Sequence, residues 1–264
     1  MLFNSFFSNH QVEPNTEEKL TIKELISRAN IVALGLVKYG IIKDDLFFIH
    51  GLNSIEYAVT LLAIFFLGNA ITTSKPANNV YEVRNQIEKS KASVLFTANS
   101  LASIVKKAID EMKEKQNIKL KFCFDGKVEG FLSYETLLKE GQAIGQKLPK
   151  IPYFDIDPKN DIATITYTSG TTGLPKGAMT THYANIVALE IRSQLESLAK
   201  QGVNKQGVGS LHYPLGHASG MIFYQTCLAQ GMKIVLIDVP KMDNILSACE
   251  KYKVSEIVLY VKMN

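Results

Sequence analysis

The stretch DIATITYTSGTTGLPKGAMTTH, residues 161–182, decides how the rest of the chain is read. Its opening, Asp161 to Thr168, is rich in β-branched residues and predicts a strand. Its centre, Tyr167 to Gly177, sets four Ser/Thr hydroxyls and three glycines around one lysine, Lys176. Glycines allow the backbone to turn tightly and bring N–H groups close to an anion. Hydroxyls add donors and the lysine adds positive charge. A helix is predicted from Thr181 to about Lys200, so a strand leads in and a helix leads out, a common setting for phosphate loops. The physical reading is a cradle for the phosphates of a nucleotide. The blander reading is a flexible Ser/Thr/Gly loop without a ligand.

The loop is not a Walker A motif. Counting from Gly170, the positions that should read Gly-Lys-Ser/Thr are Pro175, Lys176 and Gly177. The hydroxyl that would meet magnesium is missing, which disfavours an unrelated P-loop ATPase.

Outward from the loop, the chain alternates. Thr21 and Glu24 have the form of a capping box, and apolar residues from Leu25 to Val37 recur at helical spacing, with Gly40 placed to end the helix. Strands are predicted at Leu46–His50, Ala70–Thr73, Ser93–Thr97 and Lys119–Phe124. Helices are predicted from Ser54 to Leu67, Val80 to Ser90 and Leu101 to Lys113. Residues 125–160 are less regular, with a short helix at Tyr134 to Leu138, and a subdomain division is placed there. Beyond the loop helix, strands and helices alternate, with Lys233–Ile237 and Glu256–Tyr260 the clearest strands. This alternation predicts an α/β fold of mostly parallel sheets with flanking helices.

Composition narrows the function. The chain has 264 residues, 46% hydrophobic and 20% charged, enough for a packed core without staples. Its three cysteines, Cys123, Cys227 and Cys249, are scattered without ligand spacing, so neither a disulfide framework nor a zinc site is expected. The net charge of +4 is spread along the chain, without the basic stripe of a nucleic-acid binder. The most apolar stretch, Tyr57 to Ile71, is shorter than the roughly 20 residues of a membrane span and contains Thr60, Gly68 and Asn69, so it predicts a buried helix.

The loop closely resembles the signature of the adenylate-forming (AMP-dependent synthetase/ligase) superfamily, which includes acyl-CoA synthetases and coumarate–CoA ligases. Thr168, Ser169, Gly170, Thr171, Thr172, Gly173 and Lys176 match it, and Thr181-His182 resembles its continuation. The resemblance implies that this loop holds the β- and γ-phosphates of ATP while a substrate carboxylate attacks the α-phosphate. A second resemblance is His212-Tyr213-Pro214-Leu215-Gly216-His217-Ala218-Ser219-Gly220-Met221. It implies an acyl and adenylate pocket involving His217, Gly220 and Met221. Leu20 to Leu25, Asn53 to Tyr57 and Gly68 to Ala70 resemble earlier landmarks, read as packing. At Ser74-Lys75-Pro76-Ala77 the chain departs from the family, where an Asn-Pro pair usually stands.

The resemblance implies an N-terminal portion of a carboxylic acid–CoA ligase using ATP, Mg²⁺ and coenzyme A on a small-molecule carboxylic acid. The family's magnesium-associated glutamate, ribose-binding aspartate and catalytic lysine have no match in these 264 residues. A catalytically inactive nucleotide- or acyl-binding protein is therefore the alternative. Oligomeric state is open. Lys262-Met263-Asn264 is not a peroxisomal tripeptide, so the cytoplasm is the default compartment, with the peroxisome open to a longer form.

Overall fold

A computed structural model describes residues 10–14, 16–113, 117–145, 154–167, 175–199 and 207–257. The described strands, in chain order, are β1 (His10–Val12), β2 (Lys19–Thr21), β3 (Phe47–His50), β4 (Ile71–Ser74), β5 (Val94–Thr97) and β6 (Leu120–Cys123). They continue with β7 (Leu132–Ser133), β8 (Ile162–Tyr167), β9 (Gly177–Thr181), β10 (Val208–Leu211), β11 (Lys233–Leu236) and β12 (Glu256–Ile257). The helices are α1 (Ile22–Lys38), α2 (Ile55–Leu67), α3 (Val80–Ser90), α4 (Ala102–Asp110), α5 (Tyr134–Gly145), α6 (His182–Ala199), α7 (Ala218–Ala229) and α8 (Met242–Tyr252).

Local chemistry sets the helix starts. The Thr21 side chain accepts from the Glu24 N–H while the Glu24 carboxylate accepts from the Thr21 N–H, and Asn79 and Glu82 repeat the device at α3. Ser54 caps α2, and Gly68 ends that helix in the left-handed conformation. The predicted helix from Leu101 to Lys113 ends at Asp110, and the short one predicted at Tyr134 runs on to Gly145.

The strands form two sheets. One has the order β12-β10-β11-β1-β2, the other β7-β6-β5-β3-β4-β8-β9. Only β1–β2 and β8–β9 pair antiparallel among the described strands, so the mixed α/β fold is mostly parallel as expected. Period-two alternation distributes the core. Phe47, Ile49, Val94 and Phe96 face a central cluster, while Phe48 and Leu95 face a second one with Val83, Ile87 and Val105 of α3 and α4. On the other sheet, Ile234 and Leu236 join the central cluster, whereas Val235 and Ile237 pack against Ile245 and Ala248 of α8. The central cluster also takes in Leu25 and Leu36 of α1, Leu61 and Ile64 of α2, Leu137 of α5 and Tyr224 of α7. Two sheets thus share one inner helical layer, with further helices outside each.

The predicted buried helix is α2, and none of the described helices is long and apolar enough to cross a membrane. One difference from expectation bears on the site. Residues 168–176 join two antiparallel strands, with Tyr167 opposite Gly177, rather than a strand and a helix. The helix α6 begins only after β9, where Thr181 Oγ1 accepts from the Ala184 N–H. Pairing with β8 holds Gly177–Thr181 extended, an effect of the partner strand rather than of local pattern. The helix N-terminus therefore does not adjoin the loop directly.

Candidate active site

The site lies where the C-terminal ends of strands from both sheets converge. In parallel α/β sheets this is the edge at which ligands bind. In the seven-stranded sheet, β4 and β8 run parallel and end at Ser74 and Tyr167. The five-stranded sheet contributes the segment that follows Leu211, the end of β10, and leads to His217 at the start of α7.

Asn53 ties the two edges together. It follows the end of β3 and is almost fully buried. Its amide nitrogen lies 3.2, 2.9 and 3.0 Å from the carbonyls of Leu211, Tyr213 and Ile237. Its amide oxygen accepts from the Leu215 N–H at 2.7 Å. One side chain thereby satisfies backbone groups at the ends of β10 and β11, and holds the turn before His217.

That turn presses onto β4. A Cβ on Gly216 would stand 2.2 Å from the Ser74 carbonyl oxygen, so no larger residue fits without moving one of the two segments. Thr73 Oγ1 donates to the Gly216 carbonyl at 3.3 Å. Gly220 permits a similar close approach at the start of α7, where a Cβ would stand 2.2 Å from the Pro214 carbonyl oxygen.

His217 is the N-cap of α7 and half-buried. Its Nδ1 accepts from the Ser219 N–H at 3.2 Å and lies 2.6 Å from Ser219 Oγ. Nδ1 is therefore an acceptor, which assigns the proton to Nε2. Desolvation, and after it the charge of Lys75, holds the imidazole below its ordinary value, so the ring is neutral near pH 7.

Two cavities meet at His217 and Ala218. A small one of about 170 Å³ is lined by Thr73, Lys75, Asn78, Gln86, Thr166 and Tyr167, among others, and reaches Pro175. Its walls thus include both stems of the glycine- and hydroxyl-rich loop. The larger, about 690 Å³, runs between α6, α7 and β12 and is lined by Arg192, Ile222, Phe223 and Thr226, among others. Two cavities of mixed lining that share His217 and Ala218, the smaller one bordering the loop's stems and the larger one flanked by Ile222 and Phe223, suit a ligand with two unlike ends.

The expected phosphate-binding residues Thr168, Ser169, Gly170, Thr171, Thr172 and Gly173 lie outside the described residues. Lys176 is described, exposed, and immediately precedes β9. Of the expected pocket residues, only His217 lines these cavities. Gly220 and Met221 are buried, with Met221 in the central core, and the neighbours Ile222 and Phe223 face the larger cavity instead. Helical periodicity explains the split, because consecutive residues of α7 point about 100° apart. Asn53 and Lys75, read from sequence as packing, are the additional polar residues at this edge. Among the described residues no cluster of His, Cys, Asp or Glu is suited to hold a metal ion.

Comparison with known proteins settles the family. The family described as AMP-binding enzyme matches residues 6–262. The chain belongs to it. Among relatives, 4-coumarate–CoA ligase 2 of Nicotiana tabacum is 30% identical over 88% of this chain and 40% of its own length. Peroxisomal OPC-8:0-CoA ligase 1 of Arabidopsis thaliana is 25% identical over 94% of this chain and 43% of its own length. The red-emitting luciferase of Phrixothrix hirtus superposes with a TM-score of 0.81 at 20% identity, covering 98% of this chain and 62% of that one. The fold is thus that of adenylate-forming enzymes, and the chain spans about two fifths of the length of these curated relatives. It corresponds to an N-terminal portion of such acid–thiol ligases, a family whose reactions involve ATP and coenzyme A.

Proposed function

We propose that this chain supplies the nucleotide-phosphate and acyl-binding region of an ATP-dependent carboxylic acid–CoA ligase. The observation that carries the reading is the convergence at His217. A small cavity bordered by both stems of the loop and a larger one flanked by Ile222 and Phe223 both include His217 in their walls. In this reading the backbone N–H groups and hydroxyls of Thr168, Ser169, Gly170, Thr171, Thr172 and Gly173 cradle the β- and γ-phosphates, and Lys176 adds positive charge. The acyl body lies along Ile222 and Phe223. The neutral His217 offers its Nε2–H to an oxygen at the junction, where the carboxylate and α-phosphate meet. Positioning two anions against fixed donors is the main task of such a site.

Mg²⁺ would neutralise phosphate charge and coenzyme A would accept the acyl group. No described residue is assigned to either. We take residues 1–264 as one incomplete unit of the adenylate-forming fold, since one central cluster joins both sheets. The acid is a small-molecule carboxylate, and the compartment is the cytoplasm or, for a longer form, the peroxisome.

The test is carboxylate-dependent exchange of labelled pyrophosphate into ATP, using the longest natural product that contains this sequence. Exchange with at least one member of a panel of aliphatic and aromatic acids is expected. Lys176→Ala should reduce it about a hundredfold, as removing one electrostatic group at a transition state typically does. Absence of exchange across the panel would overturn the reading.

A further inference from the structure

Lys75 stands directly after β4, at the strand end against which the Gly216 turn is pressed. It is half-buried and lines the small cavity together with His217, Thr166 and Tyr167. Its ammonium group makes no hydrogen bond or ion pair with any described residue. The one carboxylate on that cavity wall, Glu82, is engaged by the Asn79 N–H at 2.8 Å. The backbone that carries the lysine is fixed, because the Asn78 N–H donates to the Lys75 carbonyl and Asn78 Nδ2 donates to Ser74 Oγ.

Lys75 and His217 both offer donors at this cavity. His217 has its Nδ1 occupied by Ser219 and so presents an N–H from Nε2. Gln86 has already committed its amide nitrogen to Thr72 Oγ1 and the Thr73 carbonyl. An ammonium and an imidazole N–H on one small cavity call for an anionic oxygen, since both are donors and neither finds an acceptor among the described residues. The cavity's border on both stems of the loop identifies which anion. The larger cavity, which also borders His217, has the room for an acyl body.

We propose that Lys75 is a nucleotide-phosphate-binding residue, contacting a phosphate oxygen of ATP from the β4 wall. This rests on the reading that the loop takes the nucleotide. It assigns a binding role to the position where the family usually carries asparagine. Lys75 acts as a point charge on a flexible stem, so arginine can replace it in charge although not in shape.

The experiment measures binding of ATP, of inorganic pyrophosphate and of octanoate to the full natural chain by calorimetry. The unsubstituted protein is compared with Lys75→Met, Lys75→Arg and Lys176→Ala. Lys75→Met should weaken ATP and pyrophosphate about tenfold or more, the effect of one charge-assisted hydrogen bond. Lys75→Arg should restore most of the affinity. Removing the charge should also raise the His217 titration midpoint seen by NMR, a readout that needs no ligand.

Lys75→Met binding pyrophosphate normally while Lys176→Ala does not would overturn this inference and leave the functional reading intact. Failure of both substitutions to change binding, or no ATP binding by the unsubstituted chain, would overturn both. Loss of octanoate binding with pyrophosphate unaffected would also overturn it, by assigning Lys75 to the acyl carboxylate. Lys75 has no described partner to lose, so an altered melting temperature is not expected to confuse these outcomes.

Discussion

His50 closes β3 with an imidazole that solvent does not reach, and neither ring nitrogen finds a hydrogen-bond partner among the described residues. Burial pushes its pKa down to about 4. The unfolded chain takes up a proton near pH 6.5, whereas the folded one resists until about pH 4. Stability from this residue is therefore complete above pH 6.5 and is lost as pH falls between those values. The full difference corresponds to roughly 3 kcal/mol. Glu13 works in the opposite sense, since burial and the nearby Glu56 carboxylate push it up to about 7. The raw pH profile mixes the two, but the difference between His50→Gln and the unsubstituted protein isolates the histidine. Urea titrations at pH 7 and pH 4.5 should show His50→Gln losing less stability on acidification. Equal losses in both proteins would show that His50 is protonated or solvated in the fold.

At the level of elements, Asn53 does what no helix or strand does alone, because it joins the C-terminal edges of two sheets through backbone groups of β10, β11 and the turn before His217. Asn53→Ala would strand several buried polar groups, each costing about 1–3 kcal/mol when left unpaired. A loss of roughly 3–5 kcal/mol is expected, in the range reserved for broken buried networks. Chemical denaturation should register it, and the turn bearing His217 should lose protection first. A loss below about 1 kcal/mol would mean that water or a shifted turn replaces the amide. The same residue shows what sequence can and cannot reveal. The capping box at Thr21 was legible because it is written within four residues. The strand β9 and the insertion of β1 beside β11 were not, since both depend on partners remote in the chain or on pairing that overrides local pattern. Of the candidate site, the loop and His217 were read as motifs; the structure puts His217 on both cavities, and residues 168–174 lie outside the described residues. The approach of Lys75 to His217 and the outward face of Ile222 and Phe223 depend on tertiary packing.

Across the whole molecule, burial is unevenly shared. Nine of the thirteen residues of α2 are buried, in a cluster that touches both sheets. No described side chain of α6 is buried, and Tyr183, Ile186 and Ile191 are each at least half exposed. Met179 of the neighbouring edge strand β9 is 69% exposed. A helix held by its own hydrogen bonds, with little apolar area against the core, opens at low free energy. The elements that carry the loop's second stem and one wall of the larger cavity are thus the least anchored, while those behind the site are the most anchored. Such a division suits a site that must admit and release ligands, because local opening need not disturb the core. Amide hydrogen exchange should show it directly. Protection in α2 should approach the global unfolding limit, and the amides of α6 should exchange several orders of magnitude faster at the same pH and temperature. Adding ATP should slow exchange at the β8–β9 stems more than in α2 if those stems border the phosphate site. Protection of α6 equal to that of α2, independent of ligand and rising with protein concentration, would instead show that its exposed apolar side chains are covered by self-association.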